Sequence, residues 1–148
     1  MLQSISLETV RGIHALGRVF RVLGQLERSE DLLLAGLESA KKLGVKQEEA
    51  GIYLNLGNTA RAKSNKPGLN VQQRTQLERS ALEYYVRSSA MSSRSPLQIQ
   101  AKLNQLSLLV DRQKHVYWSI EEESPKKSTQ ESDNSLQLQQ STSYLFVN

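Results

Sequence analysis

Apolar residues recur along this chain at the spacing of an α-helix, in a stripe that is best developed at residues 50–62. Tyr53, Leu56, Gly57 and Ala60 fall at i, i+3, i+4 and i+7, positions that share one face of an α-helix. A glycine inside this stripe costs roughly 1 kcal/mol of helix propensity relative to alanine. A helix tolerates that cost where another backbone has to come close. Residues 50–62 are therefore predicted to belong to one helix of a closely packed pair.

The same four-residue stripe occurs in two other segments. Its other copies are Ile13, Leu16, Gly17 and Phe20, and then Leu103, Leu106, Ser107 and Val110, where serine replaces the glycine. The three small residues are 40 and 50 residues apart along the chain. Helices that alternate at such periods are typical of stacked helical hairpins, in which each pair buries its apolar face against its neighbours.

Breaks in the pattern divide the chain into five predicted helices. They cover residues 7–23, 27–43, 47–63, 71–91 and 96–118, which makes hairpin 1 at 7–44, hairpin 2 at 47–93 and a final helix at 96–118. Gly44 is expected to end the second helix as its C′ residue. Ser95 as N-cap, Pro96 at N1 and Gln98 at N3 form the start signal of the last helix, with a capping box.

The helical pattern stops after Trp118. Residues 119–148 are polar, rich in serine and glutamine, and interrupted by Pro125. Such a segment buries too little apolar area to offset its ordering entropy, so a disordered tail is predicted. The apolar end at residues 144–147 is compatible with a docking motif or with no role.

Charge divides the chain at the same point. The net charge is +4, of which residues 1–118 carry +7 and residues 119–148 carry −3. A basic body favours an acidic partner, or its own acidic tail as a competitor.

Cysteine is absent, which excludes disulfides, thiolate metal sites and a cysteine nucleophile. No apolar run approaches the roughly 18 residues of a membrane span, so a cytoplasmic protein without a membrane partner is expected.

The register of these residues resembles that of tetratricopeptide repeat (TPR) proteins. The resemblance covers residues 11–110 and includes second-helix positions Ser29, Leu33 and Gly36 in the first repeat and Ala81 and Tyr85 in the second. It implies an all-α, TPR-like α-solenoid of antiparallel helix hairpins. The second repeat departs from the family by a 12-residue insertion between its helices, and the third lacks its second helix.

A narrower resemblance concerns the segments YLNLGNTARA, LERSALEYYVRSSA and AKLNQLSLLV. They are similar to the TPR segments found upstream of CHAT domains, which are caspase-like protease modules of bacterial proteins. One alternative that this similarity implies is a truncated fragment of a larger TPR–CHAT protein.

In TPR arrays the first helix of each pair lines a concave groove that holds an extended peptide. By that similarity the groove residues are Arg18, Arg21, Asn55, Asn58, Arg61, Asn104 and Gln105. Asparagine amides can bond a peptide backbone, and arginine holds carboxylates bidentately. The family's carboxylate clamp has a lysine where this chain has His14, which weakens the case for a free C-terminal carboxylate as the ligand. The alternative interpretation of these residues is a solvated helix face.

The resulting hypothesis is a non-enzymatic protein–protein interaction scaffold that binds an extended or acidic peptide segment. No nucleophile elbow, phosphate loop, dinucleotide fingerprint or zinc motif is present in the sequence, so neither catalysis nor a cofactor is expected. A basic nucleic-acid-binding helical domain is the main alternative, motivated by a pI of about 9.4, although the arginines alternate with acids and lack interleaved aromatics. The unpaired last helix is expected to expose Leu106, Leu109 and Val110, and either a homodimer through that face or a decayed gene fragment without a role of its own is compatible with this exposure.

Overall fold

The computed structural model of the protein describes residues 5–123, which form five α-helices and contain no strand. The helices are α1 (Leu7–Val22), α2 (Leu26–Leu43), α3 (Lys46–Ser64), α4 (Val71–Met91) and α5 (Pro96–Glu123). The predicted all-α class is confirmed, and each end of the first four helices lies within one residue of its predicted position. The predicted tail lies outside the described residues from position 124 onwards.

Helix ends follow the local capping chemistry. Gly44 ends α2 in the left-handed conformation, with φ of 70°, as its predicted C′ role requires. Ser95 caps α5 by accepting from the Gln98 backbone N–H at 3.4 Å. The predicted reciprocal bond of a capping box is absent there, because the Gln98 side chain accepts from the Arg94 N–H instead. A complete box, not predicted from the sequence, occurs at the start of α4 between Asn70 and Gln73.

The last helix is longer than its pattern of apolar residues predicts. It continues past position 118 to Glu123, so residues 119–123 are helical rather than part of a disordered tail. Three consecutive glutamates, which have good helix propensity, occupy its end. Pro125 disfavours helical backbone at the residue before it, and this is consistent with a helix end at position 123.

The directions of the helices follow from their cross-helix contacts. α1 packs against α2, α2 against α3 and α3 against α4, and α1 also touches α3. In antiparallel neighbours one residue number rises as the other falls, as in the pairs Lys63–Glu30 and Lys66–Glu27 between α3 and α2. In contacts between α1 and α3, and between α3 and α5, the two residue numbers instead rise together. The odd-numbered helices therefore run parallel to one another, and the even-numbered helices run antiparallel to them.

The core consists of two apolar clusters that share α3. Ile52, Tyr53 and Leu56 join residues of α1 and α2 in one cluster. Leu54 and Ala60, from other faces of α3, join residues of α4 and α5 in the second. α3 is thus buried on nearly all sides, which explains why its apolar residues do not form a single narrow stripe.

Two glycines of the repeated stripe lie directly beneath side chains of the following helix. A Cβ at Gly17 would lie 2.7 Å from Leu33 Cγ, and a Cβ at Gly57 would lie 2.5 Å from Tyr85 Cε1. Both distances are shorter than any ordinary contact, so these positions require glycine for the observed packing. The predicted closeness of the paired helices is confirmed at both positions.

The stripe is wholly buried only in α3. In α1 Leu16 is 46% exposed, and in α5 Leu103, Leu106 and Val110 are 56%, 59% and 44% exposed. The exposure that the sequence predicts for Leu106, Leu109 and Val110 in the unpaired last helix is confirmed, whereas in α1 Leu16 is more exposed than the repeated stripe predicts. The reason is that α3 has helices on both sides, whereas α1 and α5 are the outer members of the row of odd-numbered helices.

Candidate functional site

Polar side chains join α3 to α5 at the residues that the sequence assigned to a groove. The Asn58 Oδ1 atom accepts hydrogen bonds from the Tyr85 hydroxyl at 3.0 Å and from Asn104 Nδ2 at 2.8 Å. Two predicted groove residues, Asn58 and Asn104, are therefore in direct contact. The hydroxyl of Tyr85 was missed in the sequence because the apolar stripe identifies this residue only as core.

Arg61 makes a second connection between the same two helices. Its guanidinium donates to Ser107 Oγ at 2.9 Å and forms an ion pair with Asp111. Asp111 is 45% exposed on its side chain, so the pair lies at the surface and solvent screens it. The charge of Arg61 is thereby partly neutralised, and its orientation is fixed towards α5.

Asn55 lies apart from the other predicted residues, in a buried network between α1 and α3. Its Nδ2 donates to the Gly51 carbonyl at 3.0 Å and to His14 Nε2 at 2.8 Å. Nε2 then acts as acceptor, which places the ring proton on Nδ1, 3.4 Å from Glu48 Oε2. Burial lowers the pKa of His14, although the Glu48 carboxylate opposes this effect. The Asn55 amide is thus engaged within the fold.

Arg18 and Arg21 remain, and they differ from Arg61 in their surroundings. Arg18 is exposed and Arg21 is half-buried. The Nε atom of Arg21 is buried without a hydrogen-bond partner in the part of the chain that the structure describes. Both side chains line a shallow cavity of about 370 Å³ on the second half of α1, together with Val19, Val22 and Leu23.

Arg21 lies near Tyr85, whose hydroxyl takes part in the connection between α3 and α5. Burial raises the pKa of Tyr85, while the positive charges of Arg61 and Arg21 act in the opposite direction. Both arginines are therefore close enough to this residue to affect its ionisation. We call Arg18, Arg21, Asn58, Arg61 and Asn104 the arginine–asparagine surface. Gln105 follows Asn104 on α5 and is half-exposed.

A second cavity, of about 770 Å³, lies at the opposite end of α3. It is lined by His14, Lys46, Glu48, Ser92 in the connection between α4 and α5, and Leu97 at the start of α5. Both ring nitrogens of His14 are used within the Glu48–Asn55 network, so this residue offers no free base to the cavity. This cavity was not predictable from the sequence, since its walls come from segments that only the fold brings together.

A comparison of the chain with family models, curated proteins and solved structures finds no match. Within residues 5–123, no helix is both long and apolar enough to cross a bilayer. The same part of the chain holds no cluster of histidine and carboxylate side chains suited to a metal ion. The site is therefore interpreted from its own geometry.

Proposed function

We propose that the protein is a TPR-like interaction scaffold that binds an extended acidic segment of another protein along the arginine–asparagine surface. The observation that carries the proposal is that Arg21 of α1, Asn58 and Arg61 of α3 and Asn104 of α5 lie around the Tyr85 hydroxyl. The Nε atom of Arg21 is buried and closed to a ligand, but the residue as a whole is half-buried. A ligand carboxylate would therefore pair with the outer nitrogens of its guanidinium and gain a charge-assisted bond there.

The arrangement of the helices supports a groove in this position. The parallel helices α1, α3 and α5 each contribute polar residues to the surface, which is the arrangement that TPR-like hairpins use to line a groove. Hydrogen bonds from Asn58 to Tyr85 and Asn104 hold its amide in place before a ligand arrives. Preorganisation of this kind lowers the entropy lost on binding.

The cavity on α1 indicates the chemistry of the ligand. Val19, Val22 and Leu23 are 51%, 76% and 63% exposed beside the two arginines. Exposed apolar side chains flanked by cations suit a segment in which acidic and apolar residues alternate. An extended strand presents alternate residues in the same direction, so one side of such a segment would meet the arginines with its carboxylates.

Ion pairs within the fold reduce the number of basic side chains that are free to contact a nucleic acid. Six lysine and arginine side chains form ion pairs with carboxylates of the fold: Arg11, Lys46, Arg61, Lys63, Lys66 and Arg112. A paired cation releases fewer counterions when it approaches a phosphate, and counterion release is the main source of affinity for nucleic acids. The pairs leave the net charge of +7 on residues 1–118 unchanged, so the binding assay needs a nucleic-acid probe beside the peptides.

Fluorescence anisotropy with labelled peptides tests the proposal. We expect an alternating Glu–Leu peptide to bind, and the corresponding Gln–Leu peptide to bind at least about tenfold more weakly, because each lost charge-assisted bond is worth about 1.5–3 kcal/mol. A single-stranded DNA of similar length serves as the probe for the nucleic-acid alternative. Equal binding of the two peptides, or salt-dependent binding of the DNA alone, would refute the proposal.

The chain offers a matched pair of variants for this assay. Arg21 and Arg74 are both half-buried arginines whose Nε atoms are buried without a hydrogen-bond partner among the described residues. Only Arg21 belongs to the arginine–asparagine surface. We expect Arg21→Gln to weaken binding of the Glu–Leu peptide about tenfold or more, and Arg74→Gln to leave it unchanged. Loss of binding in both variants would indicate a general effect on the fold.

A further inference from the structure

The outer side of α5 carries an apolar seam that no helix of the described chain covers. Ile99, Leu103, Leu106 and Val110 are 63%, 56%, 59% and 44% exposed. At 100° per residue they fall within one narrow stripe of the helix. The opposite side of α5 is the one that contributes Ala101 and Leu108 to the core. This helix is therefore apolar on two opposite sides, and only one of them is packed.

The repeat explains why the seam exists. In α1 and α3 the corresponding stripe lies beside a following helix, which places Leu33 over Gly17 and Tyr85 over Gly57. In α5 the equivalent small residue, Ser107, is exposed. The seam thus occupies the place where a further helix packs in the two preceding hairpins.

The spacing of the seam is symmetric. Its intervals are four, three and four residues, the heptad spacing at which two helices pack side by side. Because this order reads the same in both directions, an antiparallel copy matches it in register. Ile99 then lies opposite Val110 of the second copy, and Leu103 lies opposite Leu106. Such self-complementarity is what a twofold interface requires.

Charge and area also favour a second copy as the occupant. Between Ile99 and Val110 the sole charged residue is Lys102. Two seams can therefore approach each other without strong charge repulsion. A strongly acidic or basic partner would find few opposite charges here with which to form ion pairs. Together with Leu109, which is 43% exposed, the seam offers on the order of 500 Å² of apolar surface per copy. Complete burial of these residues in two copies gives at most about 1,000 Å², the lower limit for a specific interface.

We propose that the protein forms an antiparallel homodimer through the α5 seam. The proposal is independent of peptide binding, because the arginine–asparagine surface and the seam involve different residues. Since the interface is small, we expect dimerisation to depend on concentration between about 1 μM and 1 mM. Light scattering coupled to gel filtration of the full chain measures it directly.

Substitution within the seam tests the interface. We expect the double variant Leu103→Glu, Leu106→Glu to weaken dimerisation more than about tenfold, because burial of each leucine is worth roughly 1.5–3 kcal/mol. Both side chains are more than half exposed in one copy, so the fold itself is expected to persist, as circular dichroism will check. The control variant Leu34→Glu, Val71→Glu changes exposed apolar residues of α2 and α4 and is expected to dimerise normally.

Cysteine cross-linking tests the direction of the helices, since the chain contains no cysteine of its own. An Ile99→Cys variant mixed with a Val110→Cys variant is expected to form a disulfide under mild oxidation. Either variant alone is expected not to, because like positions are about 16 Å apart along antiparallel helices, beyond disulfide reach. A monomer at all concentrations, a dimer that survives the double glutamate substitution, or cross-linking of Ile99→Cys with itself would each overturn the proposal.

Discussion

Gly57 has no side chain, which allows the ring of Tyr85 to lie directly against the backbone of α3. The ring is fully buried, and its hydroxyl is bonded to Asn58, so the residue is held at both ends. One glycine thereby positions an aromatic ring in the core and a hydroxyl at the arginine–asparagine surface. Packing and the candidate site are linked at this single position.

Alanine at position 57 is expected to destabilise the fold. The added Cβ would lie 2.5 Å from Tyr85 Cε1, and overpacking of this kind costs about 1–3 kcal/mol. Because the clash is with a fully buried ring, we expect this cost to outweigh the roughly 1 kcal/mol that alanine gains in helix propensity. Urea unfolding monitored by circular dichroism measures the change in the free energy of unfolding.

Gly12 provides the matched control for this substitution. It lies in the middle of α1, where a Cβ would meet no atom within 4 Å. Gly12→Ala is therefore expected to stabilise the fold by about 0.5–1 kcal/mol. If Gly57→Ala were also stabilising, the close contact between α3 and α4 described for this position would be incorrect.

At the scale of the helices, α1 and α3 are joined by a network that responds to pH. His14 lies between the Glu48 carboxylate and the Asn55 amide, and it is needed there as the neutral ring. A proton on Nε2 would point at the Asn55 N–H group, and this nitrogen could then no longer accept the hydrogen bond from Asn55. Protonation of His14 is thus expected to loosen the contact between the two helices.

The sign of the effect follows from the lowered pKa of His14. The unfolded chain, with a histidine pKa of about 6.5, binds the proton more readily than the folded chain. The stability contributed by neutral His14 is therefore present above about pH 6.5 and is lost as the pH falls towards the folded-state pKa. The pKa of Glu48 is also lowered, chiefly by its bond to Arg11, but its contribution is lost only in the more acidic range near pH 4.

Thermal unfolding between about pH 7.5 and pH 5.5 tests this link. We expect the melting temperature of the native protein to fall on acidification, and that of His14→Gln to fall less. His115→Gln removes the other histidine of the chain and is expected to keep the native pH dependence. An unchanged pH dependence in His14→Gln would show that His14 does not carry the effect.

The helices themselves were largely predictable because their signals are local. Gly44, the Ser95–Pro96 pair and the apolar intervals around Tyr53 fix helix ends and faces through neighbouring residues alone. The end of α5 was misplaced because the apolar stripe fades before the helix does. Glutamates sustain a helix by propensity without marking a buried face.

The candidate site was less predictable, since its contacts join distant parts of the chain. Asn55 and Asn58 look equivalent in the sequence, being three residues apart on one helix. Only the fold shows that Asn55 is engaged by His14 and that Asn58 is engaged by Tyr85 and Asn104. The exposure of Leu106 was predictable, by contrast, because the sequence offers no second helix to pair with α5.

At the scale of the whole molecule, the two apolar clusters are joined by α3. Because this helix contributes to both, disruption of one cluster is expected to loosen the other. Residues 5–112 should therefore unfold in one cooperative transition. Leu33 belongs to the first cluster and Leu108 to the second, and both are almost fully buried.

Alanine substitutions at these two leucines test the cooperativity. Leu33→Ala and Leu108→Ala are each expected to cost about 2–5 kcal/mol. Each is also expected to accelerate amide hydrogen exchange in the helices of both clusters, which mass spectrometry can measure by segment. If exchange increased in only the substituted half, the two clusters would be separate folding units.

The burial of α3 on nearly all sides has a consequence for synthesis of the chain. This helix leaves the ribosome before α4 and α5, so Leu54 and Ala60 are translated well ahead of the residues that cover them. A nascent chain that ends within α4 therefore exposes apolar side chains of α3 to solvent or to a chaperone. Translation of about fifty further residues, up to Leu108, is needed before the second side of α3 can be closed.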